Sequence, residues 1–166
     1  MALLRWFPSM TTTLLIILCV TQAASAAGPP ADLCSLLPPA DVSKILGQTF
    51  DAPAKSVAPR PYANTAEGTD CKYHSKGGQQ SELWFRAYVD PSPGAATELF
   101  NRLSQFYAPR TPVSGLGDEA YFDRDHAIHV RKGNVRYYLN LSPINPFTPA
   151  KEKQIKDLAT RVAAQL

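Results

Sequence analysis

Histidine and cysteine are scarce in this chain, three of each among 166 residues, and tryptophan and methionine occur twice each. None of the spacings that turn such residues into a site is present. CxxC, HExxH, GxSxG and a Cys-His nucleophile signature are missing, as are the GxGxxG and P-loop phosphate cradles. No residue pattern calls for a cofactor or a metal. A surplus of one charge is also lacking: 17 Lys and Arg stand against 14 Asp and Glu, a net +3. That balance is too weak to mark a nucleic-acid partner by bulk charge. Nor is there a run of about 20 uninterrupted apolar residues, the length a spanning helix needs.

The first residues have the order of a secretory leader. Arg5 comes early, an apolar run follows from Leu14 to Val20, and a small-residue stretch occupies Ala23 to Ala27. Ala24 and Ala26 fit the two small positions that a signal peptidase requires, so a signal peptide is expected over 1–26, with cleavage after Ala26 or one residue later. Retention as an anchor is disfavoured because Pro8, Ser9 and Thr11 to Thr13 break the run. Lipid attachment at Cys19 is disfavoured by the bulky Ile17 and Leu18 before it. A secreted or periplasmic protein follows, with one α+β domain over 27–166 as the length suggests. The full chain of 166 residues is 45% hydrophobic with seven Phe, two Trp and seven Tyr, enough to build a core.

Cleavage leaves two cysteines, Cys34 and Cys71. An even pair in an oxidising compartment reads as a disulfide. Closing a loop of that length contributes about 4 kcal/mol on chain-entropy grounds. The alternative, a ligand pair of Cys71 with His74, fails because residues three apart on a strand point to opposite faces.

Along the chain, Pro38 to Leu46 reads as a short helix stopped by Gly47. From Gln48 to Thr69 the text is rich in Pro, Ala, Ser and Asn, and it predicts an edge strand at best, then a mobile loop, of the kind that is either functional or disordered. Asp70 to His74 and Glu82 to Val89 form a hairpin. A helix follows from Pro91-Ser92-Pro93-Gly94, and its stripe of Ala96, Leu99, Phe100, Leu103, Phe106 and Tyr107 is expected to be buried. After a strand at Ala120 to Asp123, a second hairpin joins Ala127 to Arg131 with Val135 to Leu141 through Lys132-Gly133-Asn134. Thr148-Pro149 then caps a final helix, with Ile155, Leu158, Ala159, Val162 and Leu166 along one side. The order is that of an α+β fold: an antiparallel sheet of about five to seven strands with two long helices on one face. Hairpin and helix follow each other twice, compatible with a duplicated ββα unit or with ordinary α+β folding.

Gly115-Leu116-Gly117-Asp118-Glu119-Ala120-Tyr121, with Asp32-Leu33-Cys34 and Cys71-Lys72-Tyr73, resembles a large group of uncharacterised small secreted and lipoprotein domains of bacteria. The resemblance spans most of the exported part. It implies the Cys34–Cys71 bridge and a sheet-plus-helices domain, and it supplies no catalytic residue. Physically, the Gly-Leu-Gly-Asp step precedes a strand and not a helix, so it serves as a turn with positive φ and not as a phosphate cradle.

Asp118, Asp123 and Asp125 do not make a calcium loop, since Arg124 stands among them. The Asn140-Leu141-Ser142 sequon is discounted because Pro143 follows it. Sheet parity is more informative. Leu83, Phe85, Ala87, Val89, Ile128, Val130, Tyr137, Leu139 and Leu141 share one face, the expected core. Trp84, Arg86, Tyr88, His129, Arg131, Arg136 and Tyr138 share the other and are the candidate ligand-binding residues. A tight second hairpin puts Arg131 opposite Arg136, an arrangement that needs compensating acids, such as Glu82, Glu119 or Asp123, or an anionic partner. The plain alternative is cross-strand packing covered by the first long helix or the loop.

The expected role is therefore that of an exported, non-catalytic binding or interaction domain, monomeric. Its partner would be an envelope protein or an anionic or sugar-bearing polymer, without nucleic acid and without a membrane span after cleavage. The alternative is a small secreted hydrolase whose site is built from the 48–69 loop with His74 or His126.

Overall fold

The computed structural model describes residues 29–63, 65–77 and 80–166; the expected signal peptide lies outside them. A 3₁₀ turn at Leu33–Leu36 leads into α1 (Pro39–Leu46) and β1 (Ala54–Ala58). Then come β2 (Gly68–His74), β3 (Glu82–Val89), α2 (Pro93–Phe106) and β4 (Thr111–Pro112). The chain ends with β5 (Glu119–Phe122), β6 (Ile128–Lys132), β7 (Val135–Ser142) and α3 (Pro149–Ala163). The strands form one antiparallel sheet in the order β1-β2-β3-β7-β6-β5-β4, an α+β fold as the sequence predicts.

Local chemistry sets the boundaries. Ser92 and Thr148 sit in extended backbone and accept from the amides of Ala95 and Lys151, each followed by a proline in the first turn. Gly47, at φ 70°, closes α1. Asp32 caps the 3₁₀ turn through the amide of Cys34, and Cys34 is bridged to Cys71 on β2 across 37 positions. That bond ties the N-terminal turn to the sheet.

The core lies on the predicted face. Leu83, Phe85, Ile128, Val130 and Leu139 are completely buried beneath Ile155, Leu158 and Val162 of α3, with Val42 of α1 and Leu36 and Leu37 beside them. Each such side chain contributes about 1.5–3 kcal/mol of transfer free energy. Two polar groups enter this layer with partners: Tyr137 Oη donates to the Ala159 carbonyl at 2.7 Å, and Tyr73 Oη to that of Leu37 at 2.6 Å.

The placement of α2 differs from the expectation of two long helices on one face. α2 covers the opposite face, where Phe100 packs on Tyr121 at 5.1 Å and Tyr107 on His129 at 4.6 Å between ring centroids. Its stripe is only partly buried: Ala96 and Phe100 are, whereas Phe106 is 67% exposed. The turn before α2 is held on that side because Asp90 pairs with Arg136. The β2-β3 and β6-β7 hairpins flank the antiparallel β3–β7 pairing, but a two-fold axis between antiparallel neighbours would put both helices on the same face. The two ββα segments are therefore not related by such a rotation.

The Gly-Leu-Gly-Asp turn has a packing reason beyond its φ. Gly117 lies at φ 60° against β6, and a Cβ there would come within 2.5 Å of the Arg131 carbonyl oxygen. The amide of Asp118 donates to that carbonyl at 2.8 Å.

Candidate functional site: an arginine–tyrosine cleft

Between α2, the loop Pro59–Tyr62 and the sheet lies a cleft of about 520 Å³. Its floor is the aromatic and basic face of four neighbouring strands: Arg86 and Tyr88 of β3, Arg136 and Tyr138 of β7, His129 of β6 and Tyr121 of β5. Phe100, Leu103 and Phe106 of α2 with Tyr107 at its C-terminal cap make one wall, and Pro59, Arg60, Pro61 and Tyr62 the other. Tyr88 Oη donates to the Pro59 carbonyl at 3.0 Å, anchoring the loop to the floor. The Arg102 guanidinium of α2 lies 5.1 Å from the centre of the Tyr62 ring, linking helix to loop.

The register explains why these side chains converge. Arg86 pairs with Tyr138, Tyr138 with His129, and His129 with Tyr121, one continuous row across the sheet. A second row runs through Tyr88, Arg136 and Arg131.

Buried carboxylates on the same face neutralise the floor. Asp70 takes Arg86 through Nε and Nη2, the latter at 2.8 Å. Asp90 takes Arg136 at 2.5 and 3.0 Å. Burial, the largest single effect, works against the charge of Arg86, but the Asp70 hydrogen bond and the electrostatic pull of Tyr138, Tyr88 and Asp70 together outweigh it and raise its pKa above the ordinary arginine value. Both pairings are bidentate, so each guanidinium is fixed in orientation.

Asp123 holds the third basic group. Burial opposes its ionisation, yet the hydrogen bond and charge of His129 and the amides of Ala127 and Asp125 pull its pKa below the usual carboxylate value. An ionised carboxylate only accepts, so His129 Nε2, 2.8 Å from Asp123 Oδ2, carries a proton. The ring is stacked on Tyr121 at 4.8 Å and Tyr138 at 5.4 Å. Among the described residues lining the cleft there is no serine, threonine or cysteine for this pair to activate.

Tyr88, Tyr121 and Tyr138 of the floor are phenols, not phenolates. Burial raises Tyr121 and Tyr88 above the ordinary value and pushes Tyr138 up to about 12. Tyr62 Oη and Tyr121 Oη are buried and have no hydrogen-bond partner among the described residues. Leaving such a hydroxyl unpaired costs about 1–3 kcal/mol.

Of the seven residues singled out by parity, Arg86, Tyr88, His129, Arg136 and Tyr138 line the cleft. Arg131 and Trp84 do not. Arg131 turns to Asp118 at 2.7 Å and Glu119 at 3.6 Å, and Trp84 lies under the Lys72 ammonium, 3.9 Å from the ring centre. The acids that compensate the Arg131–Arg136 pair are Asp118, Glu119 and Asp90; of the three suggested from sequence, only Glu119 takes part, since Asp123 serves His129 and Glu82 lies 3.4 Å from His74. His74 is exposed and His126 is stacked on Phe147 at 4.0 Å, so neither histidine offered for a hydrolase reaches the cleft, although the 48–69 loop does. Parity missed the two walls. The surplus of large aromatics at the end of α2, Phe106 and Tyr107, was the available signal, since a core-facing stripe ends in contact and not in solvent.

The fold and the cleft define an α+β domain with an antiparallel sheet, one face packed as core and the other floored with ion pairs under a helix. No family model and no curated protein matches the chain. Among solved structures, it is similar to the extracellular domain of PknH from Mycobacterium tuberculosis, with a TM-score of 0.51 and 11% identity over 80% of this chain and 94% of that one. At that identity the likeness concerns the fold.

Proposed function

We propose that this chain is an exported, non-catalytic binding domain acting at the cell envelope or outside the cell, and that the α2–sheet cleft is its binding site. The observation that carries the reading is a preformed cleft of about 520 Å³, within the range of about 300–1,000 Å³ typical of small-molecule sites. Arg86, Arg136 and His129 on its floor are held in place by buried carboxylates, so it has an oriented floor beside largely apolar walls. Export is supported by the leader pattern, by the disulfide, and by the neighbour's description as an extracellular domain. No helix among the described residues is long and apolar enough to cross a membrane.

Ligand-observed NMR with a diverse fragment mixture tests the site, comparing the wild type with Leu103→Trp, which fills the cleft from the α2 wall. Hits should vanish in the variant while its circular dichroism and melting stay near wild type. Hits that persist after filling, or a screen with no cleft-dependent hit, would overturn the site. N-terminal sequencing of exported protein should read from Ala27 or Gly28; an intact leader on the native protein would overturn export.

A further inference from the structure

The chemistry of the cleft lining is one-sided. Its charged side chains are Arg60, Arg86, Arg124 and Arg136, and among the described lining residues there is no Asp, Glu, Asn, Gln, Ser or Thr. Arginine donates and never accepts. Apart from the phenol oxygens and Nδ1 of His129, the side chains of this site offer a ligand donors and no acceptors. The buried, unpartnered Tyr121 hydroxyl, on a residue only 4% exposed, adds another donor.

The four guanidiniums fall into two groups. Arg86 and Arg136 are neutralised by buried acids. Arg60 and Arg124 have half-exposed side chains, and their acids Glu67 and Asp125 stand at 3.4 and 3.6 Å, beyond ordinary hydrogen-bond length. Positive charge left for a partner is thus concentrated in Arg60 on the loop wall and Arg124 beyond β5. The same cleft is lined by the apolar surface of Phe100, Leu103 and the Tyr107 ring.

A cationic ligand would meet four guanidiniums and no lining carboxylate. A polyhydroxyl sugar would bring donors that find few acceptors. Resting on the cleft being the binding site, we infer that its ligand is an anionic amphiphile: an apolar body against the α2 wall and the aromatic floor, and an oxyanion head, carboxylate or phosphate, held by Arg60 or Arg124. Tyr121 supplies a donor to an acceptor nearer the body.

Calorimetry on the exported protein with four twelve-carbon probes below their micellar concentrations tests this: dodecanoate, dodecyl phosphate, dodecanol and dodecyltrimethylammonium. The anions should bind at least about tenfold more tightly than the alcohol, with no measurable binding of the cation. Arg60→Gln/Arg124→Gln should lower anion affinity by about three- to tenfold and leave dodecanol unchanged. The tighter of the two anions identifies the head group as a fatty-acid type or a phospholipid or prenyl-phosphate type. Equal binding of alcohol and anions, preference for the cation, or an unchanged anion affinity in the arginine variant would overturn the ligand class while leaving the cleft as the site. No binding by either anion would overturn it as well. Leu103→Trp separates the two levels: probes that bind it as they bind the wild type would overturn the cleft reading itself.

Discussion

Arg131 and Arg136 stand directly opposite each other in the β6–β7 ladder, and each guanidinium is neutralised by carboxylates outside that hairpin. Arg131 turns to Asp118 and Glu119 at the start of β5, while Arg136 turns to Asp90 at the end of β3. Like charges in register would otherwise destabilise the hairpin. Here they fasten it to both of its neighbours.

The Asp90–Arg136 pair is the more buried, with side chains 2% and 5% exposed. Asp90→Asn should therefore cost about 3–5 kcal/mol in urea unfolding, because an uncompensated guanidinium remains inside. Asp90→Leu/Arg136→Met should recover most of that loss. A single variant within about 1 kcal/mol of wild type would contradict the structural role given to the pair.

Two glycines of one turn should respond differently. Gly117→Ala adds a methyl group against the Arg131 carbonyl at positive φ and should cost about 2–4 kcal/mol. Gly115→Ala, at φ 75° with no atom within 4 Å of the new Cβ, carries only the backbone cost of about 1–2 kcal/mol. Equal losses in thermal melts would show that the close approach to β6 is irrelevant.

Removing the bridge with Cys34→Ala/Cys71→Ala should cost about 4 kcal/mol on the loop-closure model. Reduction of the wild type should lower its melting temperature similarly, and reduction of the double variant should change nothing.

Asp123 gives the stability an acid limb. Its folded pKa is below the ordinary carboxylate value, so the unfolded chain binds more protons as the pH falls towards and below that value. The contribution is complete above the ordinary carboxylate pKa and is lost as pH drops through the lowered folded value. Asp123→Asn should flatten this part of the pH–stability profile and cost about 1–3 kcal/mol at neutral pH, where Oδ1 still accepts from the Asp125 and Ala127 amides but His129 Nε2 loses its carboxylate acceptor. A variant with the same acid limb as wild type would place the titration elsewhere.

Much of the fold was legible along the chain. Glu82–Val89 alternates with period two, Thr148-Pro149 carries a cap and a first-turn proline, and Lys132-Gly133-Asn134 turns a hairpin whose register pairs Arg131 with Arg136. These are signals within a few residues of each other. The two-residue strand β4 was not legible, since Thr111–Pro112 is extended only through pairing with Tyr121 and Phe122. Five of the seven candidate residues meet in the cleft because parity and register fix their face. The walls meet the floor through Phe100 on Tyr121, Tyr107 on His129 and Pro59 on Tyr88, pairs 21 to 29 positions apart and beyond any local period.

By itself the sequence determined which residues alternate and where helices begin, and it pointed to Cys34 and Cys71 as the bonded pair. Only the tertiary structure decided on which face α2 lies and which acid neutralises each arginine. The stripe of α2 is apolar enough for either side of the sheet. The choice falls to Asp90, whose bond to Arg136 pins the preceding turn to the aromatic face. Charge pairing at a distance of 46 positions, and not hydrophobic period, thus makes the cleft.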